Sequence, residues 1–518
     1  MIRHIAAVLM LLAATPAAAA WQEARTPHFR IYGEGGTKAL RSFAVDLERF
    51  DMAVRILFAL DPVEGEDPNP LTIFLVENLG SLKALCEVVR ATDAKNCAMT
   101  AGFYQGRISG SVAFVPRSLG PGASSRDAQV VLFHEYAHHL MRAHSWAAYP
   151  AWYVEGFAEF VSNADLSHEG EVRVGYPAQS RSWSLYGDYR VPLKTILSSP
   201  VSEMEGRERP SFYARSWLLT HYLSVMPGRE AQLFDYLQAI NKGEEPLAAA
   251  DKMFGDLDTL DRDLDLYLRR NRFVYLPVSV SALDPARIRI RPLSPGEAAL
   301  MPVRMRLRRG IGQEGAEAIA RDARALASAW PNDAIAQVTL AEAELGAGDL
   351  AAADAAADRS LAAAPDTIDA MILKALVLMR RAPEADAADR SDVMWREAPD
   401  WLLRANRLSP DAAWPLMLFY RSFVEQGRTP TTNAVAALRR STELAPQDGA
   451  VRMMLAGQYL RDRNLQAART VLVPLAFDPH AEPDNPARKM IEMIDADLAG
   501  AKRPSLSKSS SSPPSPSP

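Results

Sequence analysis

His134, Glu135 and His138 stand in the order H-E-x-x-H within VVLFHEYAHHL, Val130 to Leu140. The stretch holds neither proline nor glycine, and Val130, Val131, Phe133, Ala137 and Leu140 give it the apolar faces of a helix. On a helix, positions i and i+4 share a face, so His134 and His138 project together and can both reach one ion. Zinc accepts neutral imidazole nitrogen at about 2.0–2.1 Å. Glu135 is rotated away from the pair, beside the fourth coordination position, where it can take a proton from water activated by the metal. His139 adjoins His138 but points about 100° away, which makes it a packing or surface residue. An ordinary amphipathic helix could carry the same five residues by chance, so the pattern calls for a third ligand.

YPAWYVEGFAEF, Tyr149 to Phe160, offers one. Glu155 and Glu159 are again four apart. A Glu155 carboxylate on a second helix facing the first would complete a two-His, one-Glu site with an open fourth position. Glu159, one turn on, can accept a hydrogen bond from the far nitrogen of a ligand histidine, which fixes the tautomer. A solvated helical face is the plainer reading of E-x-x-x-E. It fits poorly, because Trp152, Phe157, Ala158 and Phe160 surround the pair and carboxylates in an apolar segment need partners.

His134-Glu135-x-x-His138 followed by Trp152-Tyr-Val-Glu155-Gly-Phe-Ala-Glu159 resembles the gluzincin zinc metallopeptidases. It looks closest to the peptidase MA-like domains, related to the aminopeptidase N-like branch. The resemblance implies an α+β zincin-like metallopeptidase domain over residues 21–283. It implies zinc held by His134, His138 and Glu155, with Glu135 as general base. It also implies an oxyanion donor on a later helix. In SFYARSWLLTHYL, Ser211 to Leu223, that is Tyr213, 58 residues after Glu155, or His221 by looser analogy. Either could instead be a helix-packing residue. Aminopeptidase relatives carry a G-x-M-E-N-like segment upstream that binds the substrate amino terminus. None lies between Cys97 and His134, and Glu77-Asn78 is too far upstream. The short separation of His138 from Glu155 also favours the MA-like group. The implied activity is hydrolysis of a peptide or protein substrate, by an endopeptidase rather than an aminopeptidase. The strand Arg107 to Val115 could take an extended peptide by edge addition.

The elements that must position these residues are legible around them. HFRIYG (His28 to Gly33), LTIFLV (Leu71 to Val76) and GRISGSVAFVP (Gly106 to Pro116) read as strands. Thr37 to Leu60 reads as a helix, with Leu40, Phe43, Leu47, Phe50 and Val54 at helical spacing. After the loop GPGASSRD, Asp127 can cap the motif helix.

Residues 295–500 have a different texture, rich in alanine and leucine with almost no strand pattern. Prolines close similar segments in SAWPND, AAAPDT, RLSPDA, ELAPQD and FDPHA: Pro331, Pro365, Pro410, Pro446 and Pro479. Their intervals are 34, 45, 36 and 33 residues. Leu455, Ala456, Tyr459, Ala468 and Leu472 fall at helix-turn-helix packing positions. This resembles the tetratricopeptide repeat family, whose period is about 34. The resemblance implies an all-α repeat solenoid with a concave surface for a protein partner. The 45-residue interval points to an insertion around Pro383 to Trp395. A generic alanine-rich bundle is the alternative, and the boundary prolines argue against it.

The whole chain has 518 residues, too many for one core. With 58 basic and 63 acidic residues it has no basic excess of the kind that binds nucleic acid. Residues 1–20 read as a secretory signal peptide. Ile5 to Ala14 is a short apolar run, and Ala18-Ala19-Ala20 is a small-x-small cleavage site before Trp21. The run falls short of the ~20 residues a span needs, and no membrane span is expected after cleavage. The expected location is exported, periplasmic or secreted, in a bacterial cell. Export suits a Cys86–Cys97 disulfide, with two free thiols as the alternative. Residues 501–518, ending in KSSSSPPSPSP, read as a disordered Ser/Pro tail. Three functions remain in play: an exported zinc peptidase with a repeat domain for protein contacts; a catalytically degenerate zincin domain with a repeat scaffold for envelope assembly; and a structural zinc site closed by a fourth ligand such as His144.

Overall fold

β-branched and aromatic residues at alternating positions set the N-terminal strands. The computed structural model describes residues 21–501 apart from 61–64, 87–101, 121–123, 178–180, 311, 386–387, 479–480 and 483. The signal-like segment, the Cys86–Cys97 pairing, Pro479 and the Ser/Pro tail lie outside the described residues. By contacts the chain groups into two units interleaved in sequence. One is Met1–Ala137, Val161–Val174 and Tyr275–Ala437; the other is His138–Phe160, Gly175–Val274 and Leu438–Pro518.

The first unit holds a six-stranded sheet in the order β4-β5-β3-β2-β1-β8. Its strands are β1 (Trp21–Arg25), β2 (Phe29–Glu34), β3 (Leu71–Val76), β4 (Phe103–Gln105), β5 (Val112–Pro116) and β8 (Arg289–Pro292). β2–β3 and β3–β5 are parallel and the other pairs antiparallel. Helix α1 (Thr37–Leu57) makes the crossover from β2 to β3 and buries Leu40, Ala44, Leu47, Phe50 and Val54. It stops short of Leu60 because Ala59 turns to positive φ (52°). A short α2 (Leu79–Cys86) follows β3, and β6 (Glu171–Val174) pairs with β7 (Leu276–Ser279).

Three expectations about the sheet are corrected. The strand expected over Gly106 to Pro116 is only Val112–Pro116. The residues before it form a turn with Gly110 at φ +107°, joining β4 to β5 as an antiparallel hairpin. β5 therefore lies between β4 and β3 and offers no free edge for a peptide. The sheet also runs past Leu283, since β8 pairs with β1.

Helix α3 (Ser125–Ala143) carries the H-E-x-x-H motif. Its cap is Ser124, not Asp127. The Ser124 amide donates to the Asp127 carboxylate at 2.7 Å and the Asp127 amide to Ser124 Oγ at 3.3 Å, a capping box. Phe133 of α3 stacks on Phe50 of α1, with ring centres 3.8 Å apart.

The rest of the first unit is helical: α11 (Pro295–Ala299), α12 (Met301–Arg309), α13 (Gln313–Ala327), α14 (Ala334–Ala347), α15 (Leu350–Ala363), α16 (Ile368–Arg381), α17 (Ala388–Leu408) and α18 (Ala413–Glu425). Consecutive helices from α13 to α18 pack on one another. Pro331, Pro365 and Pro410 each fall in the connection just before a helix, and Asp333 caps α14 through the Ala336 amide. The long interval after Pro365 holds its extra residues around Pro383 to Trp395, as expected. It contains a 3-10 turn, Ala382–Glu384, and a 21-residue α17.

The second unit contains α4 (Ala151–Ser162), α5 (Ser182–Tyr186), α6 (Leu193–Ser198), α7 (Glu208–Val225), α8 (Arg229–Asn241), α9 (Pro246–Phe254) and α10 (Leu257–Arg270). It ends with α20 (Gly449–Arg461), α21 (Leu465–Ala476) and α22 (Pro486–Ala501), which follow α19 (Thr432–Leu444) and Pro446. No helix among the described residues is long and apolar enough to cross a membrane.

Buried charge ties α1 to α3. Glu48 Oε2 accepts from His28 Nδ1 at 2.8 Å, and Asp51 lies 3.1 Å from the same nitrogen. Arg55 Nε donates to Asp51 at 2.7 Å, and the Tyr136 hydroxyl, inside the H-E-x-x-H motif, donates to Asp51 at 2.5 Å. Burial acts to lower the His28 pKa, but the Glu48 bond and the Asp51 charge outweigh it and leave it raised. Burial acts to raise Glu48, and its bonds to His28 leave it lowered. Asp51, buried deepest, is raised by burial. A raised histidine stabilises below its ordinary 6.5 and loses that contribution as pH rises; a lowered glutamate stabilises above 4.5 and loses it as pH falls. The pair therefore contributes most between those values. Urea-unfolding stability is expected to decline as pH rises above 6.5, and His28→Gln to flatten that decline. The same slope in the variant would remove this network as its source.

Candidate metal centre

α4 is an apolar helix, and Trp152, Val154, Phe157, Ala158 and Phe160 all bury their side chains. Glu155 lies among them, 1% exposed. A carboxylate so placed requires compensating charge. His138 stands beside it, with Nε2 3.6 Å from Glu155 Oε2. His134 is one turn earlier on the same unbroken α3. One ligand atom from each of His134, His138 and Glu155 lies within 4.8 Å of the others. The three residues expected as ligands are thus brought together.

Their donors fit zinc. Two imidazoles and one carboxylate are its ordinary protein ligands at sites that keep a position open. Tetrahedral bonds of 2.0–2.1 Å set neighbouring donor atoms roughly 3.3 Å apart, and the 3.6 Å between His138 and Glu155 is close to that. Glu135 is half-buried on α3 beside the ligands. His139 is 6% exposed, a buried residue outside the cluster. His144 is not in the cluster either; its amide donates to the Leu140 carbonyl as α3 ends.

The helix that delivers Glu155 is set against α7 by a glycine. A Cβ at Gly156 would stand 2.3 Å from Thr220 Oγ1 and 2.4 Å from the Ser216 carbonyl oxygen. Glycine in the middle of a helix costs about 1 kcal/mol against alanine. Here it permits backbone contact immediately after Glu155.

Glu159, expected as the partner of a ligand histidine, has a further partner that sequence reading missed. Arg181 donates to its Oε1 from Nε at 3.1 Å and Nη2 at 2.6 Å. The same guanidinium lies 4.8 Å from the centre of the Tyr213 ring. Burial works against the Arg181 charge, but the Glu159, Tyr213 and Glu155 groups outweigh it and raise its pKa. Burial and then the Glu155 charge push the Tyr213 phenol well above its usual range. Tyr213 therefore stands near Glu155 and Glu159 as a protonated phenol.

His221 is occupied elsewhere. Its Nε2 donates to the Val274 carbonyl at 2.9 Å, so Nδ1 accepts from the Tyr267 hydroxyl at 3.0 Å. It is fully buried against Phe160, Trp217 and Phe273, and burial lowers it to about 4. Both ring nitrogens are committed to packing partners.

His28, Glu48 and Asp51 form the other group with metal-ligand chemistry among the described residues. Their carboxylates already accept from His28, Arg55 and Tyr136, and a guanidinium beside them disfavours another cation. A groove of about 590 Å³ in the second unit is floored by Leu197, Ile240, Val473 and Phe477. Neither His138 nor Glu155 lines it, so it is not the cleft at the centre.

No family model and no curated protein matches the chain. Among solved structures, it is similar to a thermophilic TPR protein of Thermus thermophilus, at 18% identity and TM-score 0.30, covering 36% of this chain and 91% of that one. It is similar also to a MamA RS-1 double mutant, at 16% identity and TM-score 0.26, covering 38% of this chain and 92% of that one. Scores this low carry no argument about the centre.

Gly156→Ala is expected to lower the melting temperature by several degrees. Thr220→Ala should not restore it, because the Ser216 carbonyl remains in the way. Calorimetry of the single and double variants checks this. A Gly156→Ala chain as stable as wild type would contradict the close approach.

Proposed function

We propose that the chain joins a helical-repeat scaffold for protein contacts to a zinc-dependent peptidase centre. The observation that carries the reading is the convergence of His134, His138 and Glu155, drawn from two helices, with their ligand atoms within 4.8 Å. These three residues would hold the ion. Bound there, zinc supplies a Lewis acid that activates water and polarises a carbonyl. The remaining roles belong to the chain. The Glu135 carboxylate takes the proton of the attacking water and delivers it to the leaving amine nitrogen. The Tyr213 hydroxyl, held protonated by burial and Glu155, donates to the developing oxyanion. Arg181 fixes Glu159 and offsets the cluster's negative charge. The substrate is a peptide or protein, and endopeptidase activity remains the narrower reading. The paired helices after Pro295 support tetratricopeptide-type repeats and a protein partner, and residues 1–20 support export.

A repeat scaffold without turnover is the second reading. One observation favours it: Arg181, doubly bonded to Glu159 and coupled to Glu155, offsets negative charge at the centre without a metal.

Zinc content and peptide hydrolysis of the purified chain separate the two. The peptidase reading expects about one zinc per chain. In Glu135→Gln hydrolysis should fall at least a hundredfold, in line with the 10²–10⁴ a general base contributes, while zinc is retained. Tyr213→Phe should lower kcat more than it changes KM. Zinc-free protein, or hydrolysis unchanged in Glu135→Gln, would leave the scaffold.

A further inference from the structure

Between Ala143 and Ala151 the chain turns from one ligand-bearing helix into the other. This connection is held by a residue far along the sequence. Arg452, on α20, is 1% exposed. Its Nε donates to the Pro446 carbonyl and its Nη2 to the Ser145 carbonyl, the latter at 3.1 Å. Its guanidinium stacks 4.4 Å from the centre of the Trp146 ring. Nη1 has no hydrogen-bond partner, and no carboxylate pairs with the group, among the described residues. Burial alone pulls this arginine down to about 10.

A guanidinium buried without a counter-charge is costly, and an aliphatic side chain would pack a repeat helix more cheaply. What Arg452 gains in return is on the connection: a carbonyl and an aromatic face at adjacent residues. Other bonds brace the same stretch. Arg142, in the last turn of α3, pairs with Asp478 at 3.0 Å. The Ala147 amide donates to Ser145 Oγ at 3.0 Å, and the Ala148 amide to Asn241 Oδ1 at 2.8 Å. Of these, Arg452 alone touches two adjacent residues of the turn, Ser145 and Trp146. Lysine could not reproduce them, since a single ammonium cannot both lie flat on an indole and donate in two directions.

We infer that Arg452 is a positioning residue for the metal centre: through Ser145 and Trp146 it fixes the α3–α4 connection and with it the spacing of His138 and Glu155. The inference rests on the proposed metal reading. It makes the last helical pair part of the site's support, so that a ligand bound on α20 or α21 would be felt at the ion.

Metal affinity of the full chain, measured with zinc and cobalt(II) by chelator competition, tests it. Arg452→Met is expected to bind metal at least tenfold more weakly, the range seen when support behind a ligand is lost, and to shift Trp146 emission. Leu455→Ala, 3% exposed on the same helix, is the control: it should lower the melting temperature but keep wild-type metal affinity. If Arg452→Met does not fold, Trp146→Leu removes the stacked face alone and should weaken metal binding in the same direction. Wild-type affinity in the Arg452 and Trp146 variants, or an equal loss in Leu455→Ala, would overturn the inference and leave the metal reading standing. A wild-type chain that binds neither metal overturns both.

Discussion

Placing a carboxylate in the middle of an apolar helix costs several kcal/mol unless charge or hydrogen bonds are brought to meet it, and Glu155 is almost fully buried in such a helix. Much of the second unit can be read as the answer to that cost. His138 stands 3.6 Å away. Arg181 binds Glu159 one turn on and raises the positive charge near both acids. The same guanidinium lies over the Tyr213 ring. Gly156 lets the helix press directly against α7 at Ser216 and Thr220.

The two groups with metal-ligand chemistry among the described residues show how context decides chemistry. Around His28 the acids are saturated by donors, including Arg55 and Tyr136, and the network is closed. It anchors the middle of α3 to α1 through Tyr136. Around Glu155 the acceptors converge instead on a common point with two imidazoles. Two similar residue sets thus divide into a brace and a candidate centre. The hydroxyl of Tyr136 links them, since it sits between Glu135 and His138 in sequence while bonding Asp51.

Sequence periodicity located β3 to the residue and the motif helices closely, because their apolar faces are regular. It placed His134, His138 and Glu155 together because i, i+4 spacing is a geometric statement. Boundary prolines marked the helical pairs, because proline cannot continue a helix. What failed was set by tertiary pairing. The turn before β5 and the edge position of β4 depend on which strands neighbour each other, and no local pattern encodes that. β8 is four residues paired with a strand more than 250 residues earlier. Arg181 and Arg452 carry no local pattern, and their bonds are to distant segments. Gly156 did leave a signal: a glycine inside a strongly apolar helix marks a close approach. That both His221 ring nitrogens are occupied could not be read from spacing, since their partners are Val274 and Tyr267.

The central claim is that two helices present two imidazoles and one carboxylate to a single ion with a position left open. X-ray absorption at the zinc edge of the purified full chain tests it most directly. The account predicts two histidine nitrogens and two oxygens at about 2.0–2.2 Å, one oxygen from Glu155 and one from solvent, with a histidine lost in His138→Ala. No zinc, or a sphere closed by four protein ligands, would contradict it.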